Sequence, residues 1–139
     1  MKYTSYDIEI LAKTIYGEAR GEFIKFGITS LIAVAYVVVN RVKKRLAPTI
    51  HDACLAPFQF SCWNKNDVNY LKIQQIEPTS SVYKKCVAVA HHVADESWPD
   101  ITDGCDHYHS KFIKPYWAAN RLPKKIFGTH LFYCLNERK

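Results

Sequence analysis

The run from Ile28 to Lys44 limits the fold more than any other part of the chain. From Leu31 to Val39, apolar residues occupy nearly the whole helical circumference. A helix that is apolar all round must be covered on every side. The β-branched Val37-Val38-Val39 would also suit a strand, but the length of the segment favours a helix. The apolar stretch is too short to span a bilayer and passes directly into Asn40-Arg41. A central buried helix is therefore expected, with the other elements arranged around it. The chain has 139 residues, 48% of them hydrophobic and 14% aromatic, which is enough for one real core and argues against disorder. Residues 1–139 read as one domain.

A first helix is signalled by Ile8, Leu11, Ala12 and Ile15, the i, i+3, i+4, i+7 spacing of one buried face. Thr4 or Ser5 can cap it, and Asp7 suits the positive end of its dipole. It is expected to run to about Glu18. A third helix follows the caps Thr79-Ser80-Ser81, with the stripe Val82, Cys86, Val89, Ala90 and Val93, and ends near Trp98-Pro99. Between Leu46 and Pro78 the pattern dissolves around Pro48, Pro57 and Pro78. A loop of that length in a compact domain is usually functional. Asp106 to His109 and Thr129 to Tyr133 alternate as short strands, with Pro115-Tyr116-Trp117 on a connecting loop or short helix. The expected class is α+β: mainly helical, with a small antiparallel sheet.

The formal charge of +6 is unevenly spread. Arg41, Lys43, Lys44 and Arg45 cluster, and the basic residues from Lys111 to Lys139 are opposed by Glu137 alone. Such a balance favours a polyanionic partner, whether nucleic acid, anionic lipid or a bacterial wall polymer. Cys54, Cys62, Cys86, Cys105 and Cys134 make an odd count without a CxxC pair, so reduced thiols are expected, with Cys86 in the core. Met1-Lys2-Tyr3-Thr4-Ser5 leads into the first helix without an apolar signal core. The expectation is a protein made in the cytoplasm that acts there, or that reaches its target through a membrane pore or in a delivered particle.

Three groups carry chemistry. The first is Tyr16-Gly17-Glu18-Ala19-Arg20-Gly21-Glu22. Glu18 lies three residues beyond Ile15 and seven beyond Leu11, so it continues the apolar stripe. Partial burial of a carboxyl group disfavours its charged form, as a general acid working near neutral pH requires. Gly17 and Gly21 would let a backbone or ligand approach closely. The competing reading is a surface Glu at a helix end with a glycine stop. The second group is Gln59-Phe60-Ser61-Cys62-Trp63-Asn64, mixing aromatic faces that stack on sugar rings with amides and a hydroxyl that bond to sugar substituents. An aromatic loop anchor competes with it. The third is His107-Tyr108-His109 with Trp117 and His130, where packed strand aromatics compete.

With these motifs assembled, the chain resembles the bacterial and phage cell-wall hydrolases typified by the catalytic domain of spore cortex-lytic enzymes. The matching elements are Leu11-Ala12, Tyr16 to Glu22, Ala33-Val34-Ala35, Val37 to Val42, Phe58 to Trp63, His107-Tyr108, Trp117 and Ile126 to Tyr133. They lie in the same order along almost the whole chain. The resemblance implies a lysozyme-like fold and cleavage between N-acetylmuramic acid and N-acetylglucosamine. It implies Glu18 as the catalytic residue, Gln59, Ser61 and Trp63 lining a saccharide cleft, and His107 and Tyr108 near it. Gly17, Glu22 and Phe60 join them as substrate-binding candidates. In members with a transglycosylase-like site one carboxyl group suffices, and the product is a 1,6-anhydro sugar. The segment Phe23 to Gly27 is longer than in the spore enzymes. A phage-type endolysin is the expected setting: a monomer on peptidoglycan, with no metal or other cofactor, no nucleic acid and no stable membrane insertion.

Independently of the resemblance, a two-carboxylate glycosidase would need a second acid across the bond. Asp95, Glu96 and Asp106 belong to no motif and read as solvated or helix-terminal charges. A zinc-dependent wall amidase is one alternative, since Cys105, His107, His109, His91, His92 and His130 supply ligand types, though no HExxH or paired CxxC spacing groups them. A nucleic-acid-binding module is the other, on the basic C-terminal stretch with Tyr116, Trp117 and Phe132.

Overall fold

The computed structural model describes residues 1–136. At its centre is helix α2 (Thr29–Lys43), in which Leu31, Ala33, Val34, Ala35, Val37, Val38 and Val39 are wholly buried. Each valine or leucine removed from water there contributes about 1.5–3 kcal/mol, which explains why the β-branched run stays helical. Helix α1 (Ser5–Phe26) packs against α2 through Leu11, Ala12 and Ile15, and helix α5 (Ser81–Ala94) packs on both through Cys86, Val89, Ala90 and Val93. Thr4 caps α1 in a reciprocal box with Asp7. Asp7 is itself buried and also accepts from the His51 backbone N–H at 2.9 Å, tying α1 to helix α3 (Ile50–Leu55).

Four expectations change here, the first being that α5 ends at Ala94, a turn short of Trp98-Pro99. Helix α1 does not stop at Glu18 but continues for two more turns to Phe26, closing on Gly27 at φ +93°. The region from Leu46 to Pro78 is not one irregular loop. It holds α3, a 3₁₀ turn Ser61–Trp63 and helix α4 (Val68–Gln74), each short helix capped by a side chain, Thr49 or Asp67. The sheet orders β1 (His107–Ser110), β3 (His130–Tyr133) and β2 (Lys125–Phe127), all antiparallel, with Tyr108 opposite Phe132. Strand β2 is an addition to the two strands expected, and Tyr116–Ala118 is a 3₁₀ turn. The five cysteines are free, and all but Cys134 are buried. No helix among the described residues is long and apolar enough to cross a membrane. Glu137, Arg138 and Lys139 of the basic C-terminal stretch lie outside the described residues.

Candidate active site

Glu18 projects half-buried from α1, between buried Gly17 and Ala19. Its Oε1 accepts from the Tyr108 hydroxyl at 2.5 Å, and its Oε2 accepts from the Cys62 backbone N–H at 3.3 Å. Both partners arrive for local reasons. Alternation along β1 turns Tyr108 to the face shared with Phe132 and His130, whose rings lie 5.4 and 4.9 Å from its own. The 3₁₀ turn reaches α1 because Gly17 lacks a side chain: a Cβ there would sit 2.7 Å from Cys62 Cβ and from Ile73 Cδ1. Burial, reinforced by the Glu18 charge, raises the Tyr108 phenol well above its ordinary value, so it stays a donor. Burial also pushes up the Cys62 thiol, which remains neutral.

Two cavities meet at Glu18, Asn69 and His130 and together form a groove. One, of about 490 Å³, is bordered by Phe58, Gln59, Phe60, Ser61, Tyr108 and Trp117 among others. The second, of about 470 Å³, has a cationic rim of Arg20, Lys25 and Lys72. Gly21 lies along it with nothing within 4 Å of a notional Cβ, so its missing side chain leaves the groove open. His130 is buried, with Nδ1 lacking a hydrogen-bond partner among the described residues. Its burial lowers its pKa, with Glu22 opposing and His109 adding, so the ring is neutral at neutral pH.

The expected site residues separate into two sets. Glu18, Gln59, Phe60, Ser61 and Tyr108 share one cavity. Phe60 is only 3% exposed and serves as wall, not platform, with the Arg41 guanidinium 5.1 Å from its ring centre. Glu22 borders the cationic cavity, but its Oε1 is held by Thr129 through N–H (2.7 Å) and hydroxyl (2.8 Å). Gly17 borders the same cavity, while the space of its absent side chain is filled by protein. Trp63 is not in the cleft: its Nε1 donates to buried Thr14 Oγ1 at 3.0 Å, and the ring packs on the core. His107 lies beside the aromatic cavity without bordering it: its Nδ1 is paired with Asp106 at 2.9 Å and its ring packs edge-on to Trp117 at 5.1 Å. It borders a smaller cavity of about 240 Å³ that shares Arg41 and Gln59 with the aromatic one.

Arg41 and Asp106 also depart from expectation. Arg41 is no surface cation but buried, donating from Nε to the Asp106 carbonyl at 2.7 Å and from Nη1 to Gln59 Oε1 at 2.9 Å. Asn40 beside it binds Asp100 and the Cys105 carbonyl. Asp106 is completely buried, accepting from Lys44, His107, Leu135 N–H and Asn136 N–H. Burial alone would raise its pKa, but those donors outweigh it and hold the carboxyl well below the usual range. This polar cluster fixes the start of β1 on α2 and thereby sets the position of Tyr108. Glu96 pairs with Lys43 at 2.6 Å, and Asp95 caps α5. Asn69, which holds Arg20 at 2.9 Å, joins the groove without a motif to announce it. Among the described residues no three His, Cys, Asp or Glu side chains are placed to hold a metal ion. Phe132, counted with the exposed aromatics of a nucleic-acid surface, is core.

This architecture is similar to that of known proteins. It matches the crystal structure of the catalytic domain of the Bacillus cereus SleB protein with a TM-score of 0.68 and 24% identity, over 94% of this chain and 91% of that one. It matches the catalytic domain of the germination-specific lytic transglycosylase SleB from Bacillus anthracis with a TM-score of 0.67 and 28% identity, over 94% and 95%. Among curated proteins, the spore cortex-lytic enzyme of Oceanobacillus iheyensis is 24% identical over 131 residues. That alignment takes in 94% of this chain but only 42% of that enzyme, so the chain spans less than half of its relative's length. The cell wall hydrolase signature matches residues 27–133, and with it the chain belongs to the cell wall hydrolase family.

Proposed function

We propose that the chain cleaves the glycan of peptidoglycan between N-acetylmuramic acid and N-acetylglucosamine, as a lytic transglycosylase with Glu18 as its one catalytic carboxyl group. The observation that carries this reading is the isolation of Glu18. It is the sole carboxylate among the described residues bordering the aromatic cavity, and Glu22, one turn along the same helix, is engaged by Thr129. A pair of carboxylates set on opposite sides of a bond, as in two-carboxylate glycosidases, is not available from these residues. Family membership and the likeness to a lytic transglycosylase's catalytic domain support the same reading.

The chemistry runs on one proton. Glu18 as the acid protonates the glycosidic oxygen while the bond to muramic C1 breaks and its electron pair leaves with that oxygen. The resulting carboxylate takes the proton of the muramic 6-hydroxyl, whose oxygen bonds to C1 and closes the 1,6-anhydro ring. Tyr108 occupies Oε1 throughout and fixes the carboxyl plane. Oε2, with one long contact from Cys62, is the oxygen that exchanges the proton. Water in place of the 6-hydroxyl gives a reducing end, the muramidase outcome of the same site.

The enzyme acts as a monomer, without nucleic acid, on the bacterial wall, to which its +6 charge is suited. Release through a membrane pore or delivery by a phage particle is the setting we propose. Mass spectrometry of digested peptidoglycan tests the reaction. Anhydromuramic ends are expected; reducing muramic ends move the assignment to a muramidase, and free stem peptides to an amidase.

A further inference from the structure

Phe58 stands in a conformation that its side chain makes costly. Ala56 to Gln59 form a turn closed by the Gln59 N–H on the Ala56 carbonyl at 3.3 Å. Pro57 occupies the second position, and Phe58 at the third has φ +65°. This is the pattern of a type II turn, whose third position is suited to glycine. A bulky residue there is a backbone outlier. The Phe58 ring is also 95% exposed, so nothing in the folded chain repays either the backbone or the wetted apolar surface. Strain of this kind concentrates where a ligand is handled.

The location indicates which ligand. Phe58 borders the 490 Å³ cavity beside Gln59 and Ser61, in the same groove as Glu18. Ile113 and Trp117, from the segment after β1, border it too. Apolar faces therefore alternate with amides and hydroxyls, including Asn64 and Asn69. A pyranose ring offers the complement: C–H faces for the rings, and hydroxyl and N-acetyl edges for the polar groups. A lipid surface or an apolar protein partner would leave those polar groups unpaired.

We propose that Phe58 is a stacking platform for a sugar ring of the bound glycan, away from the bond being cut. The strained turn holds the ring out over the groove, and stacking of that exposed ring supplies the binding energy. The proposal rests on the glycan-cleaving reading above.

Phe58→Gly tests it, because that change relieves the backbone and removes the ring together. Binding of soluble N-acetylglucosamine–N-acetylmuramic acid strands is measured in the inactive Glu18→Gln background, alongside thermal melting. The expected result is about tenfold weaker binding with a melting temperature higher by a few degrees. In the otherwise unaltered protein the loss is carried in KM. Phe58→Trp retains binding. Unchanged binding in Phe58→Gly overturns the proposal, as does an equal loss in Phe58→Trp. Sedimentation showing self-association that Phe58→Gly abolishes, with glycan binding intact, gives the ring to a second copy and also overturns it. If no peptidoglycan is cut but the binding difference persists, the reaction assignment fails and the platform stands.

Discussion

Asp106 and Glu18 are two carboxylates tied to the same strand, one just before β1 and one beneath its second residue. Their surroundings differ. Asp106 is fully buried and saturated by a lysine, a histidine and two backbone N–H groups. Glu18 is half-buried beside a groove, with one short bond from Tyr108 and one long bond from Cys62. Donors that satisfy a charge completely hold the proton off and make the group part of the framework. A carboxyl group with spare lone pairs and an open side can pass a proton to something that enters. Burial alone therefore does not distinguish structure from chemistry. The number of donors and the access to a cavity do.

The contrast breaks most directly at Glu18. Glu18→Gln keeps the shape and the acceptor for Tyr108 but removes the transferable proton. Cleavage of peptidoglycan, followed by release of soluble fragments, should fall about 10²–10⁴-fold, with the thermal midpoint almost unmoved. A Glu18→Gln protein that still cuts would shift the role elsewhere on the groove.

Asp106→Asn should do the reverse. It leaves Lys44 facing an uncharged partner and turns an amide N–H toward other donors, a loss of about 3–5 kcal/mol in urea denaturation. The pH dependence has a defined sign. Folding lowers the Asp106 pKa from its ordinary 3.8, so the stabilisation is complete above about pH 4 and drains away as pH falls below it. Asp106→Asn should therefore show a flatter decline of stability in acid than the unaltered protein. Activity per folded molecule should survive in part; loss of cleavage with stability intact would make Asp106 a second working carboxylate.

How much of this was legible in the sequence depends on whether a residue's partners are near it along the chain. Glu18 could be singled out because the stripe that buries it lies within two turns of the same helix. The buried α2 was legible for the same reason. The end of α1 was not. The glycines at 17 and 21 allow both a stop and a close approach; Gly17 proves to admit Cys62 and Ile73, and the added turns are held by Glu22 on Thr129, far along the chain. Gly128 must be glycine for this contact, since at φ +59° a Cβ would meet Glu22 and Phe26 at 2.7 Å. Arg41 reads as one of a basic run because Lys43, Lys44 and Arg45 follow it in sequence, while its acceptors lie at Gln59 and Asp106. Helices α3 and α4, of 6 and 7 residues, are too short to display a period. Their caps at Thr49 and Asp67 were the available signal.

Trp63 carries the smallest expected effect and marks where packing ends and binding begins in the second motif. It sits two residues beyond Ser61, which borders the groove, yet its indole N–H is committed to Thr14. Thr14 in turn donates to the Ile10 carbonyl at 2.7 Å, so its hydroxyl stays satisfied when the indole is replaced. Trp63→Phe should therefore cost about 1 kcal/mol, seen as a melting temperature lower by about 3–5 °C, and KM for peptidoglycan should not change. The opposite pattern, a raised KM with unaltered melting, would put Trp63 with Phe58 as a sugar contact. The 3₁₀ turn would then be part of the binding surface, not the brace that brings Cys62 to Glu18.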